Sequence, residues 1–400
     1  MKKKNILLVI RRGQPELDWI APLLFKYKKN HIYVFYLSKD AFKNFPENNP
    51  IFLIFKSICK GYFIQKLTTN FFWRLCKYFF GKKNQFLSSK IHDPKFLIKK
   101  LKIKGSIDII FSEYGNNSEW IKSFINLKKK PLIINYPSSP LSFGQGFKEK
   151  HKKYYKKKLL CDYVFLILKR DLKYWSKSIE NKKMLFFGNP AYDNWWINKI
   201  SKFENEKFNN KKNILFAYNS DFGLIPKEQE KVFEQDLYFF MKTFVNMSSM
   251  KKIKLVFKIH PLRNNPYYLN ILNKFPKHKW SVSKSPLILL SKKSRAMICT
   301  HGSAAILNGL YSKIPTMEYQ RGFYKNSKFA EKSVTEIGGM SVVVKKNNLK
   351  KMLDKAIHNS KDNIWIKQKR KFNSVYKPKY DVSNKIFKFI NNKLIKYEKL

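Results

Sequence analysis

Short apolar runs alternate with longer stretches of helical periodicity along most of the chain, which is the pattern of parallel βαβ units. Ile6–Ile10 reads as a buried first strand, followed by a loop over Arg11–Asp18 and a helix from about Trp19. His31–Leu37, Ile107–Phe111, Leu132–Asn135 and Asp162–Leu168 read as further strands. Met184–Phe187 then runs into the turn signal Gly188-Asn189-Pro190. Beyond the polar Lys/Asn-rich stretch 201–212 a second, similar series begins. Its strands are Asn213–Ala217, Ile253–Ile259, Arg295–Thr300 and Thr316–Tyr319, with helical periodicity over Lys227–Met247 and Ala304–Tyr311. From Asn347 the pattern is helical, ending in Lys385–Leu400. A chain of 400 residues exceeds the size at which one core stops growing, so two domains are the expectation. The reading is an α/β chain of two Rossmann-like domains facing a cleft: residues 1–200, a linker over 201–212, a second domain over 213–360, and C-terminal helices over 361–400.

Composition changes this picture only in part. Hydrophobic residues make up 44% of the chain, enough to exclude a disordered protein. Lys and Arg number 82 against 27 Asp and Glu, giving a formal charge of +55. Only eight of the basic residues are Arg, and Phe, Ile and Asn are abundant too, which is the residue set of A/T-rich coding. The charge is therefore read mainly as a compositional background on solvated faces, and no recognition module for nucleic acid accompanies it. A basic surface still suits anionic substrates or an anionic membrane leaflet. Residues 51–83 interleave aromatic and apolar side chains with Lys and Arg, either as a membrane-surface segment or as core-facing helices with a basic outer face.

Four cysteines (Cys59, Cys76, Cys161, Cys299) lack the close spacing of a zinc module or a disulfide framework. The apolar run at Ile6–Ile10 is too short for a signal peptide. The charge-free stretches 131–147 and 296–312 contain glycine, the first also three prolines, and neither resembles a spanning helix. A cytoplasmic chain is expected, with a peripheral position on the inner face of the membrane left open.

In open α/β sheets, ligands bind beyond the carboxyl ends of the strands, where helix N-termini face the crevice. Thr300-His301-Gly302-Ser303-Ala304-Ala305 lies between a buried strand and a helix. Gly302 allows close backbone approach, Ser303 can cap the helix, and free N–H groups there can hold a phosphate. The alternative is an ordinary strand–helix turn. His260-Pro261 ends the preceding long strand, where an imidazole can donate to a phosphate or simply pack under the proline. Glu318, after the next helix, is either an acceptor for ribose hydroxyls or a surface acid. Toward the N-terminus, Glu16, Asp18 and Glu113 follow strand ends and are the candidates for a base that deprotonates a hydroxyl. Asp18 before Trp19 also reads as a helix cap, and Glu16 as a first-turn acid. Glu113 ranks first and Glu16 second.

Lys258-Ile259-His260-Pro261, followed by the run from Thr300 to Thr316, resembles the C-terminal half of GT-B glycosyltransferases. It is most similar to bacterial capsule and surface-polysaccharide biosynthesis proteins. Gly188-Asn189-Pro190-Ala191-Tyr192-Asp193 and Asn213–Gly223 resemble the segments that flank the interdomain linker in the same group, so the likeness covers roughly 160–325. Leu307-Asn308 stands where many relatives carry Glu, and Ser312-Lys313-Ile314-Pro315 replaces the usual Gly-Lys-Pro. The resemblance implies a GT-B fold and transfer of a sugar from a nucleotide-activated donor to a glycan or lipid-linked glycan acceptor, without metal or other cofactor. His260, His301, Gly302, Ser303 and Ala304 would hold the donor phosphates, and Glu318 the ribose. CMP-activated acidic sugars, CDP-glycerol and UDP sugars are all used in this group. A sugar-nucleotide epimerase or a polyol-phosphate transferase on the same fold is the alternative among enzymes. A basic membrane-surface or nucleic-acid-binding protein without catalysis is the alternative from another class.

Overall fold

The computed structural model describes residues 3–11, 13–37, 39–43, 49–64, 93–113, 119–137, 143–144, 159–176, 179–204, 212–218, 230–259, 267–300, 303–319, 331–332, 340–376 and 381–397. Two parallel sheets carry the fold. The first contains β1 (Asn5–Ile10), β2 (His31–Tyr36), β3 (Cys59–Ile64), β4 (Ile109–Glu113), β5 (Leu132–Tyr136), β7 (Tyr163–Leu166) and β8 (Met184–Phe186), in the order β3-β2-β1-β4-β5-β7-β8. The second contains β9 (Asn213–Tyr218), β10 (Lys254–Ile259), β11 (Trp280–Val282), β12 (Ala296–Thr300), β13 (Thr316–Tyr319) and β15 (Val343–Val344), in the order β11-β10-β9-β12-β13-β15. Numbered within each half, both orders begin 3-2-1-4-5, the doubly wound arrangement. The α/β, two-domain Rossmann-like class read from the sequence is the one observed.

The central strands are continuous apolar runs because helices cover both faces. All six residues of β1 and all six of β9 are buried. Where the structure departs from the sequence pattern, pairing is the reason. β4 runs to Glu113 rather than stopping at Phe111, because the parallel ladder continues through Val9↔Ser112 on one side and Glu113↔Tyr136 on the other. The edge strand β3 is invisible to periodicity: its residues are only half-buried, and its register against β2 shifts between Ile32 and Tyr33. The first loop is shorter than expected. Helix α1 (Gln14–Lys26) begins directly after Gly13, whose φ of 92° is a conformation that glycine adopts without a Cβ penalty. Glu16 and Asp18 thus lie inside the helix, and Asp18 is not its cap.

Of the aromatic, basic segment 51–83, residues 51–64 are described. Helix α2 (Pro50–Ile58) buries Ile51, Ile54 and Phe55, and β3 joins the sheet. Among the described residues, no helix is long and apolar enough to cross a membrane.

The C-terminal helices divide between the two sheets. After α3 (Asn194–Ser201), α4 (Glu230–Asn246), α5 (Leu287–Lys293), α6 (Ile306–Tyr311) and α7 (Leu349–His358), helix α8 (Asn363–Tyr376) braces the second sheet, where Gln368 Nε2 donates to the carbonyls of Thr316 and Met340 at 2.8 and 3.0 Å. Helix α9 (Val382–Tyr397) returns to the first sheet and packs on α1, burying Val382, Ile386, Ile390 and Leu394 in its core. That same core takes in Leu307 and Leu310 of α6, so the two halves share one apolar seam.

Candidate active site

The strand order of the first sheet reverses between β1 and β4, the place where a crevice opens at the carboxyl ends of a doubly wound sheet. Arg11 follows β1 there, and Glu113 ends β4. Arg11 Nη2 donates to Glu113 Oε2 at 3.0 Å. The carboxylate is 3% exposed and the arginine side chain 44%, so Glu113 holds one edge of a guanidinium whose remaining surface is open. Glu16, in the first turn of α1, is fully buried. Both its oxygens accept the backbone N–H of Arg11 at 3.1 Å, and the Tyr136 hydroxyl donates to Oε2 at 3.4 Å. Tyr136 itself stacks on Trp19, ring centroids 5.4 Å apart. Glu16 thus secures the turn that aims Arg11, and a carboxylate near a helix N-terminus is favoured by the helix dipole.

In the second sheet the order reverses between β9 and β12. Thr300 ends β12, and the turn that follows is stitched locally: Ser303 N–H donates to the Thr300 carbonyl at 3.2 Å, and Ser303 Oγ accepts from Ala305 N–H at 3.3 Å. Regular helix begins only at Ile306, with Ala305 as its cap, so Ser303 closes the turn rather than capping the helix. Ser303 and Ala304 are partly exposed. His260, His301 and Gly302 lie outside the described residues. Glu318 lies inside β13, 1% exposed, level with Cys299 of β12, and accepts from Ser341 Oγ at 3.5 Å. Burial, with the charge of Glu318 beside it, pushes the Cys299 thiol well above its ordinary pKa. Lys258 is likewise buried and donates through Nζ to the Lys284 carbonyl at 2.8 Å. Among the described residues, no group of three or more His, Cys, Asp or Glu is placed to hold a metal ion.

The carboxyl ends of the two sheets meet. β6 (Phe143–Gly144) lies in the connection that leaves β5, and β14 (Glu331–Lys332) in the one that leaves β13; the two pair antiparallel. Tyr192 stacks on Tyr311 with centroids 3.6 Å apart, and Tyr311 also meets Phe372 of α8 edge-on at 5.1 Å. Burial, then Tyr311, Asp18 and Cys299, raise the Tyr192 pKa well above the ordinary tyrosine value. The turn after β8 anchors the returning helix. Asp193 accepts the N–H groups of Val382 and Ser383 at 2.8 Å each and the Ser383 hydroxyl at 2.6 Å.

The structure thus brings Glu16, Glu113 and Tyr136 together around Arg11, a residue that motif reading passed over. Its signal was present, because this chain uses only eight arginines and places one directly after its first strand. In the other sheet Ser303 and Ala304 follow the end of β12, while Glu318 is buried within the adjacent strand β13.

No protein-family model matches the sequence, and no curated protein matches it. Solved structures do share the architecture. They include a UDP-N-acetylglucosamine 2-epimerase, at TM-score 0.60 and 12% identity over 100% of this chain and 98% of the other. They also include the wall teichoic acid polymerase TagF soaked with CDPG, at TM-score 0.57 and 12% identity over 99% and 90%. The calicheamicin glycosyltransferase CalG4 matches at TM-score 0.56 and 8% identity over 99% of both chains. The likeness is one of fold. This chain has the two-domain GT-B architecture that glycosyltransferases and UDP-N-acetylglucosamine 2-epimerases share.

Proposed function

We propose that this chain is a glycosyltransferase that binds a nucleotide-activated sugar against its second sheet and the acceptor against its first. The observation that carries the reading is the Arg11–Glu113 pair at one switch point, with the Ser303 turn at the corresponding point of the facing sheet. On this reading His260, His301, Gly302, Ser303 and Ala304 hold the donor phosphates. Arg11 steadies an anionic group in the crevice, since a guanidinium forks onto phosphate or carboxylate oxygens. Glu113 is the base that takes the acceptor proton, and Arg11 orients it. Glu16 is a positioning residue, because its oxygens are spent on the Arg11 backbone. Glu318 lies under the donor site and reaches a ribose only if the rim above it opens. The acceptor is a surface or capsular glycan, reached from the cytoplasmic face of the membrane, and the donor class includes CMP-activated acidic sugars. No metal takes part.

Thermal-shift titration with CMP, CDP, UDP, GDP and TDP tests the donor half, because a ligand that binds only the native state raises its midpoint by mass action. One preferred base is the expected result. No stabilisation by any of the five counts against the reading. Glu113→Gln is expected to lower kcat about 100-fold or more while leaving nucleotide affinity unchanged.

A second reading, a sugar-nucleotide epimerase, is favoured by the full-length likeness to a UDP-N-acetylglucosamine 2-epimerase. Incubation with UDP-N-acetylglucosamine and no acceptor separates the two. Conversion to a C2 epimer supports the epimerase, and an inert donor that reacts only when acceptor is added supports the transferase.

A further inference from the structure

A cavity of about 260 Å³ lies at the end of the second sheet opposite to the crevice. The location follows from the chain path. Helix α6 starts on the crevice side, near Ser303, and ends at this far side, where Lys313-Ile314-Pro315 leads into the first residue of β13. Three lysines are among the residues that line it: Lys313, Lys361 between α7 and α8, and Lys369 on α8. Leu310, Ile314, Trp365 and Ile366 give its wall apolar surface, Ser360 and Gln368 add polar surface, and no acidic residue lines it. The nearest acid in sequence, Asp362, is occupied: one oxygen takes Ile364 N–H at 3.0 Å and the other pairs with Lys355 at 2.9 Å.

Lys313 ends helix α6. Its φ is 59°, in the left-handed region where helices normally end on glycine. Lys313 N–H donates to Leu310 O and Ile314 N–H to Gly309 O, so this is the terminating position of α6. A lysine there costs backbone energy that glycine would not, as it does at Lys102, which ends another helix with the same pair of backbone bonds.

We propose that this cavity binds a small phosphorylated sugar: the phosphate on Lys313, Lys361 and Lys369, the carbon skeleton against the Trp365 wall. The volume suits a monosaccharide phosphate, and the cavity lies at the opposite end of the sheet from the crevice, so this ligand is distinct from the substrate there. Lysine serves as a point-charge phosphate binder, and three of them match a dianion. Bound there, the ligand touches the end of α6 whose other end carries the Ser303 turn. It also lies one residue from Tyr311, which stacks across the domain seam on Tyr192. Occupancy is therefore placed to bias how the two halves close.

Calorimetric titration of the full chain with glucose 6-phosphate, inorganic phosphate and glucose, at matched ionic strength, tests the site. Saturable one-site binding of glucose 6-phosphate is expected, with inorganic phosphate weaker and glucose silent. The Lys361→Ala/Lys369→Ala variant is expected to weaken binding about tenfold or more. Lys251→Ala/Lys252→Ala, which removes the same charge elsewhere on this half, is expected to leave binding unchanged. Lys313→Gly is expected to weaken binding while raising the thermal midpoint, a combination that a purely structural lysine does not give. Equal losses in the two double variants, equal affinity for inorganic phosphate, or no saturation above the salt control each overturn the proposal. None of these readouts depends on catalysis, so they stand apart from the test of the crevice.

Discussion

At the scale of single residues, the acids of this chain divide by what they touch. Glu16 and Asp193 are both wholly buried carboxylates, and both hold backbone N–H groups. Asp193 is the clearer case, because its partners lie about 190 residues away in sequence. Its removal leaves two buried N–H groups without an acceptor at the start of α9, each a cost of about 1–3 kcal/mol, while the Ser383 oxygen still accepts from Trp195 Nε1 at 3.0 Å. Asp193→Ala is expected to lower stability by about 3 kcal/mol in urea unfolding, and a midpoint equal to that of the parent chain would refute the anchoring role. Gly309 is a second residue with a tight constraint. A Cβ there would stand 3.0 Å from both Met297 Sδ and Thr316 Cγ2, and closer still to Thr316 Oγ1, which already donates to the Ile314 carbonyl. Gly309→Ala is expected to cost about 1–3 kcal/mol through overpacking. Circular dichroism melting checks it, with Gly309→Ala at the parental midpoint as the contrary outcome.

At the scale of elements, helix α9 bears the largest responsibility for its length. Its buried face meets α1 through Tyr27 and Phe387, whose rings lie 4.7 Å apart, and β7 through Tyr163 and Phe389 at 5.0 Å. Four aliphatic side chains of α9 are buried as well, each contributing about 1.5–3 kcal/mol. That total rivals the net stability of a typical domain. A chain ending at residue 380 is therefore expected to lose cooperative unfolding of the first sheet, as followed by hydrogen exchange of β1. Full protection of β1 in the shortened chain would show that the helix is dispensable. The elements at the crevice behave differently. The β1–α1 turn is short and tightly bonded, which is how a 44%-exposed arginine can be held in one place.

At the scale of the whole molecule, +55 charges on 400 residues repel one another in the compact state. Described ion pairs such as Lys346–Asp236 and Lys130–Asp162 relieve only a small part of this. Raising salt from 0.01 to 0.15 M shortens the screening length from about 30 to about 8 Å. The thermal midpoint is expected to rise over that range, and a midpoint that falls would show that ion pairs outweigh the repulsion. What the sequence by itself determined was the class and order of elements. Buried parallel strands are mostly apolar runs, so β1, β9 and β12 were legible from local composition. The edge strand β3 was not, because its half-exposed residues carry no such pattern. The partial exposure of the Ser303 turn, the burial of Glu318 and the bond between Arg11 and Glu113 were decided only by tertiary structure. The two switch points are formed by strands 103 and 82 residues apart in sequence, and which carboxylate faces a crevice depends on the register of that pairing rather than on its neighbours along the chain.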